Sequence, residues 1–96
     1  MKKEIHVPAV DQLFDAIASL KNREEFYTFF QDICTVNELL SLAQRFDVGK
    51  KLLEGKTYQE ISKQTGASTV TISRVIRLLS DQDSGLEMAV RRLEQQ

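Results

Sequence analysis

One stretch of the sequence decides the fold, and it reads Thr57-Tyr58-Gln59-Glu60-Ile61-Ser62-Lys63-Gln64-Thr65-Gly66-Ala67-Ser68-Thr69-Val70-Thr71-Ile72-Ser73-Arg74-Val75-Ile76-Arg77-Leu78-Leu79. It opens with a capping box, because Thr57 is followed three residues later by Glu60. A short helix is therefore predicted over about 58–64. Gly66 permits the positive φ with which many helices end.

A second helix follows at once. Ser68 can cap it, and its predicted span is about 69–79. Two short helices joined by a glycine-containing turn are typical of a helix-turn-helix, here at about 57–79. The apolar positions agree, because the second helix carries a stripe that the first helix and the turn can cover. The residues predicted to be buried are Ile61, Ala67, Ile72, Val75 and Leu79.

The side chains that this packing leaves outward on the second helix suit DNA. Hydroxyl groups can bond to base edges and phosphates, and the methyl groups of Val70 can contact a thymine methyl. Thr71 lies near the helix N-terminus, where backbone N–H groups attract phosphate, although a packing role for it is equally consistent with the sequence. The candidate DNA-binding residues of this helix are Ser68, Thr69, Val70, Thr71, Ser73, Arg74 and Arg77.

Basic residues flank this ridge. Arg74 and Arg77 carry planar guanidinium groups that clamp phosphates, and Lys56, Gln59 and Lys63 would flank the groove from the first helix and the turn before it. The residues from 45 to 77 include seven basic and three acidic side chains, a local net charge of +4, whereas the whole chain has −1. Local charge draws phosphates, although a solvated basic helix face would give the same count.

The remaining sequence predicts an all-α fold of about six helices in a single domain over 1–96, with the other four helices at about 9–20, 23–33, 36–54 and 85–95. The helix at about 23–33 is apolar on more than one side, and so short a chain has little protein to cover it. We therefore expect a homodimer, and an aromatic-binding site is the alternative. Gly49, inside the long helix, predicts a close helix contact.

Other functional classes find little support. The single His6 lies near the N-terminus, the single Cys34 has no histidine near it in the sequence, and no metal-spaced cluster or glycine-rich phosphate loop occurs. We therefore predict that the protein is not an enzyme. No apolar run of 18 residues is present, and the first residues lack an apolar signal core, so a cytoplasmic protein without a membrane partner is expected.

At this point the sequence resembles the Trp-repressor family, and most closely its YerC/YecD-type relatives. The resemblance covers nearly the whole chain, with six predicted helices in the same order. It implies an intertwined homodimer in which the first three helices and the last share a core, and whose two helix-turn-helix units read successive major grooves about 34 Å apart on a roughly palindromic operator. The best-matching segments are Leu52-Leu53-Glu54-Gly55, Glu60-Ile61, Gly66-Ala67 and Thr71-Ile72-Ser73-Arg74.

The resemblance also implies where L-tryptophan would bind. Two arginines sandwich the indole in that family, and Arg45 and Arg74 match them. The family glycine that makes room for the ring corresponds to Val75, and a nearby serine corresponds to Leu78. We therefore predict that branched side chains fill this space, that L-tryptophan does not bind and that no cofactor is needed. A smaller effector is left open, and the two arginines would then contact phosphates or brace the helices.

The sequence is consistent with two functions, and it favours the first of them. The leading hypothesis is a sequence-specific DNA-binding transcriptional regulator, a repressor, whose partner is double-stranded DNA. The alternative is a protein-interaction module that keeps the helix-turn-helix but does not touch DNA, and the total charge near zero supports it.

Overall fold

The computed structural model describes residues 2–96 and confirms the all-α class: within that range it contains helices and no strand. A 3-10 helix, Lys2–Ile5, which the sequence did not predict, comes first. Six α-helices follow, and their bounds are α1 Pro8–Ala18, α2 Arg23–Ile33, α3 Val36–Leu53, α4 Tyr58–Thr65, α5 Thr69–Leu79 and α6 Gly85–Glu94.

Local signals account for where these helices begin and end. Pro8 stands at the start of α1, where its missing N–H costs nothing. This helix ends two residues before the predicted end, and the Ser19 hydroxyl donates to the Ala16 carbonyl at 2.6 Å in its last turn. At α2, Asn22 accepts the Glu25 N–H at 3.0 Å, and the Glu25 carboxylate in turn accepts the Lys21 N–H at 2.8 Å. These two bonds form a capping box whose return bond is shifted by one residue.

The first compact unit of the chain, Met1–Val36, buries very little. No residue of α1 or α2 is buried. The aromatic side chains of α2 contact one another instead: the Phe26 and Phe30 rings stack with centroids 6.4 Å apart, and Phe29 meets Phe30 edge-on at 5.3 Å. Large apolar side chains therefore remain exposed on this unit, which is the condition that the apolar α2 sequence predicts.

The second compact unit, Asn37–Gln96, contains the core. Five fully buried side chains from α3, α4, α5 and the turn between α4 and α5 form one cluster: Val48, Ile61, Ala67, Ile72 and Val75. Leu52, Ile76, Leu79 and Leu86 pack around it as partly buried neighbours. The predicted burial of Ile61, Ala67, Ile72 and Val75 is confirmed, whereas Leu79 is only partly buried. Because α4 and α5 both contribute, burial of this cluster sets their relative position.

Two glycines shape this unit. Gly55 ends α3 with a φ of 84°, and the bonds Gly55 N–H to Leu52 O and Lys56 N–H to Lys51 O, 3.0 and 3.1 Å long, form a Schellman motif. Gly49 lies in the middle of α3 and is buried. A Cβ added there would lie 2.7 Å from Leu86 Cδ2, so α3 meets the start of α6 closely at this point. The close contact that the sequence predicted is therefore present.

Substitution of this glycine should destabilise the second unit. Gly49→Val would force Leu86 to move, and overpacking of this kind lowers the free energy of unfolding by about 1–3 kcal/mol. Urea unfolding followed by circular dichroism, at one fixed protein concentration, measures the effect.

Gly85→Ala is the matched control. A Cβ at that first position of α6 meets nothing within 4 Å. Removing a glycine from an open helical position raises stability by about 0.4–1 kcal/mol. Equal losses for both variants would contradict the close contact between Gly49 and Leu86.

Candidate nucleic-acid interface

The first helix of the pair, α4, begins at a complete capping box. The Thr57 N–H donates to Glu60 Oε1 at 2.9 Å, and the Glu60 N–H donates to Thr57 Oγ1 at 3.2 Å. The backbone bond from Thr57, with its side-chain bond and the positive charge of Lys56, lowers the pKa of the Glu60 carboxyl below its usual 4.5. Glu60 is therefore ionised at neutral pH and engaged in the cap, so this acidic residue does not project a free carboxylate toward the basic face.

The turn between α4 and α5 is compact. Gly66 takes a φ of 74° and donates its N–H to the Ser62 carbonyl at 2.8 Å. The Thr65 hydroxyl donates to the Ile61 carbonyl at 2.6 Å and accepts the Ala67 N–H at 3.1 Å. Together these bonds turn the chain from one helix into the next within three residues.

The second helix, α5, is capped by Ser68, whose Oγ accepts the Thr71 N–H at 3.2 Å. The Ser68 hydroxyl also lies 3.3 Å from Thr71 Oγ1. Ile72 and Val75 face the core with no exposed surface. Because residues four apart share a face of a helix, Thr69, Ser73 and Arg77 follow one line along α5, and Val70 and Arg74 follow the adjacent one.

The candidate residues lie at the surface of this unit. Val70, at 73% exposure, is among the most exposed large apolar side chains of the described chain. Thr71 and Lys56 are half-buried. The other predicted contacts are exposed, namely Gln59, Lys63, Ser68, Thr69, Ser73, Arg74 and Arg77. Thr69 and Ser73 therefore do not face the core, which is the condition on which a base-reading role depends.

The two arginines that the resemblance pointed to lie at one cavity. Arg45 and Arg74 line it together with Val75, and its volume is about 170 Å³. The Arg45 guanidinium donates to the Ser41 hydroxyl at 3.3 Å, one turn earlier on α3. The complete wall is Ser41, Gln44, Arg45, Val70, Thr71, Arg74 and Val75, with no acidic side chain among these residues.

This cavity bears on the expectation that L-tryptophan does not bind. Its volume lies below the roughly 300 Å³ at which pockets for drug-sized ligands begin. Val75 forms part of the wall, as predicted. Leu78 lies one turn after Arg74 on the same line of α5, is 48% exposed and does not line the cavity. Val75 therefore lies where the expectation placed it and Leu78 does not, and exclusion of L-tryptophan stays a prediction.

Two further features arise from how the helices meet. The Gln44 side chain donates to the Thr65 carbonyl at 3.1 Å and so ties α3 to the end of α4. Tyr58, which the sequence analysis did not select, is 42% exposed and lines an open groove with Gln59, Ser62, Lys63 and Thr69. The only sequence signal for Tyr58 was its place directly after the capping residue of α4.

Other types of site find no structural basis in the described residues. Among residues 2–96, no group of three or more histidine, cysteine or acidic side chains is placed to bind a metal ion. Within the same range, every helix is too short or too polar to cross a bilayer.

The comparisons with known proteins agree on one family. The sequence model described as Trp repressor protein matches residues 8–94. The uncharacterized protein YerC of Bacillus subtilis (strain 168) is 54% identical over 86 residues, which cover 90% of this chain and 83% of that protein. These matches confirm the resemblance seen in the sequence.

Solved structures show the same fold. A TrpR-like protein from Eubacterium eligens ATCC 27750 superposes with a TM-score of 0.91 at 51% identity, covering 96% of this chain and 95% of that one. A second structure of Trp repressor type, from Staphylococcus aureus, gives a TM-score of 0.91 at 48% identity over 96% of this chain and 92% of its own. By sequence along nearly its full length and by the arrangement of its helices, the chain belongs to the Trp repressor family.

Proposed function

We propose that this protein is a cytoplasmic, homodimeric, sequence-specific DNA-binding regulator that acts as a repressor and not as an enzyme. The observation that carries the proposal is the exposed ridge of α5, where Thr69, Val70 and Ser73 project from a helix whose opposite side is buried. Major-groove recognition needs hydroxyl and methyl groups presented from a rigid helix. Membership of the Trp repressor family supports the same role.

Charge supports this role on the flanks of the ridge. Arg74 and Arg77 are exposed on α5, and Lys63 is exposed on α4. Within the same segment, Asp47 bonds Lys51 at 3.0 Å and Glu60 serves in the cap of α4. Asp47 and Lys51 thus offset each other's charge, and the exposed Arg74, Arg77 and Lys63 remain to meet phosphates.

We propose that a second copy of the chain covers the apolar surface of residues 5–42. Nine large apolar side chains there are exposed in the single chain: Ile5, Val7, Phe14, Phe26, Tyr27, Ile33, Val36, Leu40 and Leu42. Monomeric proteins rarely leave so many large apolar side chains in water. A two-fold dimer covers it with the same residues from the partner and presents two recognition helices to successive major grooves.

We propose that regulation does not depend on L-tryptophan. The small volume of the cavity between Arg45 and Arg74, and the presence of Val75 in its wall, support this conclusion. The two guanidinium groups are instead available to contact DNA phosphates or to brace α3 against α5.

Selection from a random duplex pool, followed by a salt titration, tests DNA recognition. We expect a roughly palindromic motif with half-sites about one helical turn apart. Arg74→Ala and Arg77→Ala should each weaken binding to all sequences and reduce the salt slope by about one, whereas Val70→Ala should relax selectivity at one base pair by about 1–3 kcal/mol.

Arg92→Ala, which removes an exposed cation from α6, is the matched control and should bind as the unchanged protein does. A selection that enriches no motif, together with binding that ignores salt, would refute the proposal. It would then favour the protein-interaction module instead.

Sedimentation at micromolar concentration tests the dimer. The unchanged protein should sediment as a dimer, and Leu40→Glu, which puts a charge at a side chain 61% exposed in the single chain, should shift it toward monomer. Val70→Glu is the matched control, because it places the same charge on the DNA ridge and should leave the dimer intact while abolishing DNA binding. A monomer from the unchanged protein would remove the dimer and the two-half-site operator with it.

Calorimetry tests independence of L-tryptophan. Titration with millimolar L-tryptophan should produce no binding heat, because the branched Val75 stands where the family glycine makes room for the indole. DNA affinity should also be equal with and without the amino acid. Micromolar binding, or a rise in DNA affinity on its addition, would contradict the proposal.

A further inference from the structure

The groove between α4 and the start of α5 is a second feature of the surface near the recognition ridge. It is open, has a volume of about 350 Å³ and is lined by Tyr58, Gln59, Ser62, Lys63 and Thr69. The sequence selected Gln59, Lys63 and Thr69 as DNA contacts but not Tyr58 and Ser62, and these residues come together only because α4 packs against α5. Its wall combines an aromatic ring with one ammonium group and contains no acidic side chain.

This combination matches a sugar–phosphate segment of DNA. A deoxyribose ring offers an apolar face that can lie against the ring of Tyr58. The adjoining phosphate is an anion that accepts from the Lys63 ammonium, and tyrosine and threonine hydroxyls are regular donors to phosphate oxygens. Local charge is complementary as well, because the segment from 45 to 77 has a net charge of +4.

The position of the groove also fits. Thr69 belongs both to the groove and to the ridge, so a strand whose bases meet the ridge would pass the groove at the edge of the same major groove. In helix-turn-helix proteins the first helix crosses the DNA backbone while the second enters the major groove. A protein ligand would have to be acidic to suit Lys63, and nothing else in the groove selects one.

We propose that Tyr58 and Lys63 bind one sugar–phosphate segment of each half-site, with the Tyr58 hydroxyl donating to the phosphate. This inference rests on the proposed DNA-binding function. It makes Tyr58 a residue that positions the recognition helix in the groove without reading a base, so its contribution is equal for every sequence.

The test uses the full-length protein and the duplex that the random selection yields. Tyr58→Phe removes only the hydroxyl, and it should weaken binding about tenfold, as the loss of one charge-assisted hydrogen bond does. The loss should be the same on the selected and on a scrambled duplex, and the salt slope should not change because no charge is removed. Lys63→Ala should instead reduce the salt slope by about one.

A scan with single neutral methylphosphonates locates the phosphate. The unchanged protein should lose affinity when one phosphate per half-site is neutralised, and Lys63→Ala and Tyr58→Phe should each lose less affinity at that phosphate than the unchanged protein does. Gln64→Ala is the matched control, because Gln64 is exposed on the same helix but does not line the groove, and it should behave as the unchanged protein does.

The outcomes separate this inference from the function on which it rests. If the unchanged protein selects a motif but Tyr58→Phe binds equally well, or changes which bases are selected, the proposed sugar–phosphate contact is refuted and the DNA-binding function stands. If the unchanged protein selects no motif, the proposed function itself fails.

Discussion

The rest of the second unit depends on the turn at Gly66 and on the side-chain packing beneath it. Gly66 occupies a left-handed conformation with a φ of 74°, which L side chains rarely adopt. The Thr65 hydroxyl bridges the last turn of α4 to the Ala67 N–H. Beneath this turn, Ile61 and Ile72 are fully buried in one cluster. Because the backbone turns within three residues and the side chains interlock, α5 has little freedom to rotate about its own axis.

That constraint explains why hydroxyl groups end up on the outside of α5. Burial of Ile72 and Val75 fixes which side of α5 faces the core, so the side chains on the rest of the helix surface face away from it. Thr69 and Ser73 then keep their hydrogen-bonding capacity for whatever meets the surface. A buried hydroxyl would already have a partner, and an exposed one exchanges water for a base edge or a phosphate at little cost.

The two compact units differ in how much apolar surface each buries by itself. The second unit buries its own core and presents the recognition ridge, whereas the first contains no buried residue in either α1 or α2. Helices of that kind are not stable through propensity alone, because most helical stability in proteins comes from tertiary packing of an apolar face. We propose that association of two chains gives the first unit such packing, which would tie its stability to the spacing of two recognition helices.

The amino-acid sequence by itself determined the helices, their caps and the outward ridge. Capping pairs such as Thr57 with Glu60, and glycines such as Gly66, act over a few residues, so predicted and observed ends differ by no more than two positions. Only the tertiary structure decided which distant side chains meet. It brought Tyr58 beside Thr69, placed Leu86 against Gly49 and left Leu78 out of the wall of the arginine cavity. Those outcomes depend on the angles and distances between helices, which packing sets and no local pattern encodes.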